Sequence, residues 1–90
     1  MLLIHLGEDE VIPAKEILAI MDYVSFTASA LAKGFLSLQQ EHNSLTSLGE
    51  SVPKSVVITD RQVYLSPLSA ATLKKRAEDK GIFEQSWSFK

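Results

Sequence analysis

Ninety residues with a net charge of −2 make one small domain and exclude a polycation that would cling to any nucleic acid. The absence of cysteine rules out disulfides and thiolate metal sites, and suits a reducing cytoplasm. The apolar start meets Glu8-Asp9-Glu10 too early for a signal peptide, and no run reaches the roughly 20 apolar residues of a membrane helix, so a soluble, cytoplasmic protein is expected.

Residues 2–6 form an apolar run too short for a helix and suited to a strand. Gly7 and the three acids mark a turn, after which Val11-Ile12 can pair back as a brief strand. Pro13 to Glu16 reads as a single turn that proline can open, since its missing N–H is not needed there. Ile17 to Met21 is again continuously apolar and reads as a buried strand, although periodicity alone also fits a helix end.

Residues 27–41 carry the clearest helical pattern. Ala28, Leu31, Phe35 and Leu38 recur at three- and four-residue steps, with Ala32 and Leu36 widening the stripe. Ser25 or Thr27 can cap its start. Gly34 inside a helix costs about 1 kcal/mol against alanine, which predicts close packing of a neighbour there. Residues 42–53, HNSLTSLGESVP, read as a loop.

Residues 53–77, PKSVVITDRQVYLSPLSAATLKKRA, read as a hairpin running into a helix. Asp60-Arg61-Gln62 turns the chain without a glycine, so its turn type is open. Pro67 ends the second strand, Ser69 caps a helix over about 70–80 with Leu73 and Ala77 inward, and Gly81 ends it. Residues 1–81 form the domain. Residues 82–90 form an amphipathic tail whose Phe83 and Trp87 could add an edge strand or touch a neighbouring subunit.

The charge is lopsided. Residues 1–53 set two lysines against seven carboxylates, a net of −5, whereas residues 54–80 set six cations against three, a net of +3. One basic side is the form a nucleic-acid footprint takes. Lys74, Lys75 and Arg76 step by about 100° each, so at most two face one ligand. They sit in the later half of their helix, where the macrodipole favours cations, and Lys74 and Lys75 can pair with Glu78 and Asp79. A solvated face and a DNA contact therefore both account for them. At the other end of that helix, Ser66, Ser69 and Thr72 bring hydroxyls to free N–H groups, an available site for a phosphate oxygen, unless Ser69 only caps its own helix. His5 and His42 lie near no catalytic motif, and no nucleophile elbow, calcium loop or phosphate loop is present. No catalytic residue, metal or cofactor is expected.

HLGEDEVIPAKEILAIMD and the 53–77 segment, with the total length, closely resemble the small bacterial extracellular-matrix regulators of the RemA/RemB family, nearest its RemB (YaaB-like) branch. The resemblance rests on roughly half the chain. It implies a cytoplasmic, non-enzymatic transcription regulator of biofilm-matrix genes. For the RemA branch it implies a ring-shaped homo-oligomer that resembles LytTR-type proteins and contacts DNA through arginines. Basic residues expected from the family are replaced here by Glu16, Ser51 and Val52, with Lys15 and Lys54 nearby.

The expected fold is α+β: a small, mainly antiparallel sheet of four to five strands with two helices, LytTR-like and oligomeric. The expected DNA-contacting set is Lys15, Lys54, Arg61, Ser66, Ser69, Lys74, Lys75 and Arg76, with Phe83 and Trp87 at a subunit contact. The alternative is a protein-interaction module that modulates a RemA-like partner without touching DNA.

Overall fold

The structure, a computed structural model, describes residues 2–79, with side chains as far as Ala77. Among the described residues the fold is α+β, with six strands in two sheets and three helices. The apolar start forms β1 (Leu3–Gly7), and β2 (Glu10–Pro13) returns antiparallel to it, as the acidic turn predicts. This hairpin is a sheet of its own and not part of the main one. One 3-10 turn over Ala14–Glu16 follows, with Pro13 as its N-cap residue. Next comes β3 (Ile17–Asp22).

The helix expected over 27–41 starts at Ala30, and a separate short helix precedes it. Asp22 accepts from Ser25 N at 2.9 Å and starts α1 (Tyr23–Thr27). Ser29 accepts from Ala32 N at 3.2 Å and starts α2 (Ala30–Glu41). Ser25 and Thr27 are therefore not the caps of the long helix, and the Thr27 hydroxyl donates to Tyr23 O within α1. The loop expected over 42–53 contains a strand, β4 (Leu45–Ser47), which pairs parallel to β6. Then β5 (Ser55–Thr59) and β6 (Val63–Ser66) form the antiparallel hairpin, and α3 (Ala70–Asp79) follows. The main sheet has the order β3-β5-β6-β4, so β3 and β4 are its edges.

Strand alternation sends side chains to opposite faces, and each face is covered by different elements. Ile20 and Val57 pack with Ile4, Leu6 and Ile12 of the β1–β2 hairpin and with Leu73 and Ala77 of α3. Val56 and Val63 pack with Leu36 of α2, along with Tyr23, Phe26 and Phe35. The rings of Phe26 and Phe35 meet edge to face, 6.4 Å apart at 82°.

The apolar stripe of α2 faces differently from the pattern's first choice. Ala32 and Leu36 point inward, whereas Leu31 is 86% and Leu38 48% exposed. Nor does Gly34 have the close neighbour predicted for it, since a Cβ there would meet nothing within 4 Å.

Glycine is required at Gly7. Its φ is +127°, and a Cβ would stand 2.9 Å from Pro67 Cδ and Cγ. The turn between β5 and β6 needs no glycine because Thr59 holds it. Thr59 N and its hydroxyl both donate to Gln62 O, and the hydroxyl accepts from Arg61 N and Gln62 N.

Candidate nucleic-acid interface

The fold spreads the expected cations over three places. The first is the tip of the β5–β6 hairpin. Pairing of Ile17 with Thr59 brings the 3-10 turn beside that tip, so Arg61 Nη2 lies 3.8 Å from Glu16 Oε2. Lys15 is exposed on the same turn. The Arg61 side chain is 82% exposed. A surface ion pair of this kind contributes about 1 kcal/mol at most, so Glu16 does not lock the guanidinium away from another anion.

The second place lies at the opposite end of β5. Lys54 N donates to Ser66 O at 2.8 Å, and Lys54 O accepts from Tyr23 N at 3.0 Å. These bonds fix its backbone where the ends of β3, β5 and β6 meet, and leave its side chain exposed. Lys54 precedes β5 and Arg61 follows it, so at about 3.3 Å per residue the two are separated by about 20 Å. One subunit cannot bring both to a single phosphate.

The third place is α3. Lys75 and Arg76 are exposed and Lys74 is half-buried. Arg76 Nη1 donates to His5 O at 3.2 Å, across to β1. The pairing of Lys74 and Lys75 with the carboxylates of Glu78 and Asp79 falls outside the described side chains. So do Phe83 and Trp87, and with them the expected tail contact.

The hydroxyl cluster at the start of α3 is engaged inside the fold. Ser66 is fully buried. Its hydroxyl donates to Leu6 O and accepts from Leu68 N. That bond to β1 bridges sixty residues of sequence, which is why position in the strand alone did not reveal it. Ser66 as placed is a structural tie and offers no hydroxyl to a phosphate. Ser69 Oγ accepts from Thr72 N at 3.1 Å and donates to Thr72 Oγ1 at 2.9 Å. The capping reading thus accounts for Ser69 and occupies Thr72 with it.

The electrostatics near the hairpin tip are mixed. Burial pushes the Tyr64 phenol above its ordinary range, and the neighbouring charges of Glu10 and Glu16, with a hydrogen bond to Glu10, push it further. Glu16 therefore acts on both Tyr64 and Arg61. The meeting of Glu10 with Tyr64 joins β2 to β6 and has no local signal in the sequence. Of the histidines, His5 Nε2 donates to Glu8 O at 2.6 Å, in keeping with a structural histidine, and His42 caps the end of α2. In the loop before Lys54, Ser51 is exposed and Val52 is 77% exposed. Among the described residues, no helix is long and apolar enough to cross a membrane.

Comparison with known proteins extends beyond the two segments that carry the resemblance. Residues 3–77 match the family model described as RemA-like, extracellular matrix regulatory protein A-like. That span includes Lys15, Lys54, Arg61, Lys74, Lys75 and Arg76. Extracellular matrix regulatory protein B of Bacillus subtilis (strain 168) is 41% identical over 75 residues, covering 83% of this chain and 89% of that protein. The chain therefore belongs to the RemA-like family of extracellular matrix regulatory proteins.

Proposed function

We propose that the protein regulates extracellular-matrix genes in the cytoplasm as a DNA-associated, non-catalytic homo-oligomer. The observation that carries this reading is the exposure of Lys15, Lys54, Arg61 and Lys75 within a chain that belongs to a regulatory family. Each subunit offers few cations, of which Lys54 and Arg61 stand about 20 Å apart at the two ends of one strand. Repetition in an oligomer, a ring being the form the resemblance suggests, converts such weak contacts into avidity. Arg76 contributes less, because it is tied to His5 O. Ser66 and Ser69 are left out of the contact set. A LytTR-like mode of DNA contact remains part of the reading through the family resemblance alone.

A second reading has its own support. Val52 is an exposed apolar side chain at a position where the family resemblance expects an arginine, and Glu16 stands beside Arg61. Such a surface suits contact with a protein, for which a RemA-like partner is the natural candidate. Mobility-shift titration on matrix-gene promoter duplexes at two salt concentrations, with light scattering for mass, separates the two. The first reading expects an oligomer that shifts DNA at low salt and loses it as salt rises. An oligomer that gives no shift at low salt sides with the second.

A further inference from the structure

At the tip of the β5–β6 hairpin an acid and a base face each other from anchored positions. Glu16 closes the 3-10 turn between two buried residues, Ala14 and Ile17. Ala14 N donates to Leu2 O at 2.9 Å, and Ile17 pairs with Thr59 of β5. The backbone on both sides of Glu16 is thereby held, and its side chain is 30% exposed. Arg61 stands opposite, on the turn that Thr59 closes, and its N–H donates to the Thr59 hydroxyl at 3.3 Å. Arg61 Nη2 lies 3.8 Å from Glu16 Oε2. That is beyond hydrogen-bonding distance. The carboxylate therefore acts on the guanidinium by charge and leaves its N–H donors available.

We propose that Glu16 sets the strength of phosphate contact at the hairpin tip, by cancelling the charge of Arg61 without occupying its donors. The proposal deepens the DNA-associated reading and rests on it. Lys15 and Arg61 bring two positive charges to the tip, and Glu16 and Asp60 bring two negative ones, so the tip carries no net charge. Asp60 is exposed at the turn. Glu16 is the acid within ion-pair distance of the guanidinium.

A phosphate at Arg61 finds the planar fork of donors that suits it. It also meets the like charge of Glu16, which the anchored turn holds beside the contact. The reach of that charge is visible on β6. Burial raises the Tyr64 pKa, and the charges of Glu10 and Glu16 raise it further. An exposed pair is worth about fivefold in an equilibrium constant at most, so Glu16 tunes the contact and does not abolish it. Salt screens exposed charges, with a Debye length of about 10 Å at 0.1 M. The tuning is therefore strongest at low salt.

The test titrates the full chain against one promoter duplex at two salt concentrations, with circular dichroism to confirm folding. Wild type, Glu16→Gln, Arg61→Gln and the double variant form a cycle. Glu16→Gln should tighten binding about two- to fivefold at the lower salt and by less at the higher. Most of that gain should vanish when Arg61 is already glutamine. Asp9→Asn removes an equal charge from the exposed turn of the β1–β2 hairpin and should leave affinity nearly unchanged. Equal gains from Glu16→Gln and Asp9→Asn, or a gain that persists in full without Arg61, would reduce Glu16 to net charge and overturn the proposal. A Glu16→Gln chain that binds as wild type does, or more weakly, overturns it and leaves the DNA-associated reading standing. No binding by any of these chains at the lower salt overturns both.

Discussion

Hydroxyl groups at three residues hold the backbone of this small chain in place. Ser66 donates to Leu6 O, Ser55 donates to Leu68 O at 2.7 Å, and Thr59 closes the hairpin tip. Replacing Ser66 by alanine removes the hydroxyl that bridges Leu6 O and Leu68 N, at a cost of about 1–3 kcal/mol. Chemical denaturation should show that loss, while DNA affinity per folded molecule stays unchanged. Gly7→Ala should be at least as damaging, because the added methyl meets the Pro67 ring at a φ that alanine resists. Tyr64 gives a pH signature. Its pKa is raised in the fold, so its contribution is fully present below the unfolded value of about 10 and is lost as pH rises through the folded value. Wild-type stability relative to Tyr64→Phe should therefore fall above about pH 10, and a constant difference would contradict the assignment.

At the scale of elements, some features are legible from local pattern and others need the third dimension. The two hairpins are legible because short apolar runs lie between turn signals, the β-branched run Val56 to Thr59 most clearly. The start of α3 is legible because Ser69 precedes a clean helical pattern. Helix α2 is only half legible. Asp22, Ser25, Thr27 and Ser29 are all competent caps, and the structure uses the first and last for two helices. Both sides of α2 are apolar, so periodicity could not say that Leu36 is inside and Leu31 outside. β4 is three residues in a serine-rich stretch, held by pairing with β6 that no local signal reports. The hairpin tip makes a sharper prediction. Thr59→Val keeps the shape and removes a hydroxyl that serves three backbone groups. It should lower stability by about 1–3 kcal/mol, with the loss of protection at Arg61 and Gln62 amides visible in hydrogen exchange.

For the whole molecule, charge asymmetry is the feature most plainly written in the sequence, and its spatial arrangement is the feature least so. A net of −5 precedes a net of +3 along the chain. Folding then interleaves them, setting Glu16 against Arg61 and engaging Arg76 on the β1–β2 hairpin. The expected site was legible as a list of cations but not as a surface, because cross-sheet neighbours decide which side chains remain available. Lys54, Arg61 and Lys75 keep exposed charges. The slope of log affinity against log salt on a matrix-gene promoter duplex, for wild type and for Arg61→Gln and Lys75→Gln, tests the DNA-associated oligomer most directly. The account predicts binding that weakens with salt, and a slope shallower by about one unit for each phosphate contact a variant loses. An oligomer that binds no DNA at the lowest salt, or variants whose slopes match wild type, would contradict it.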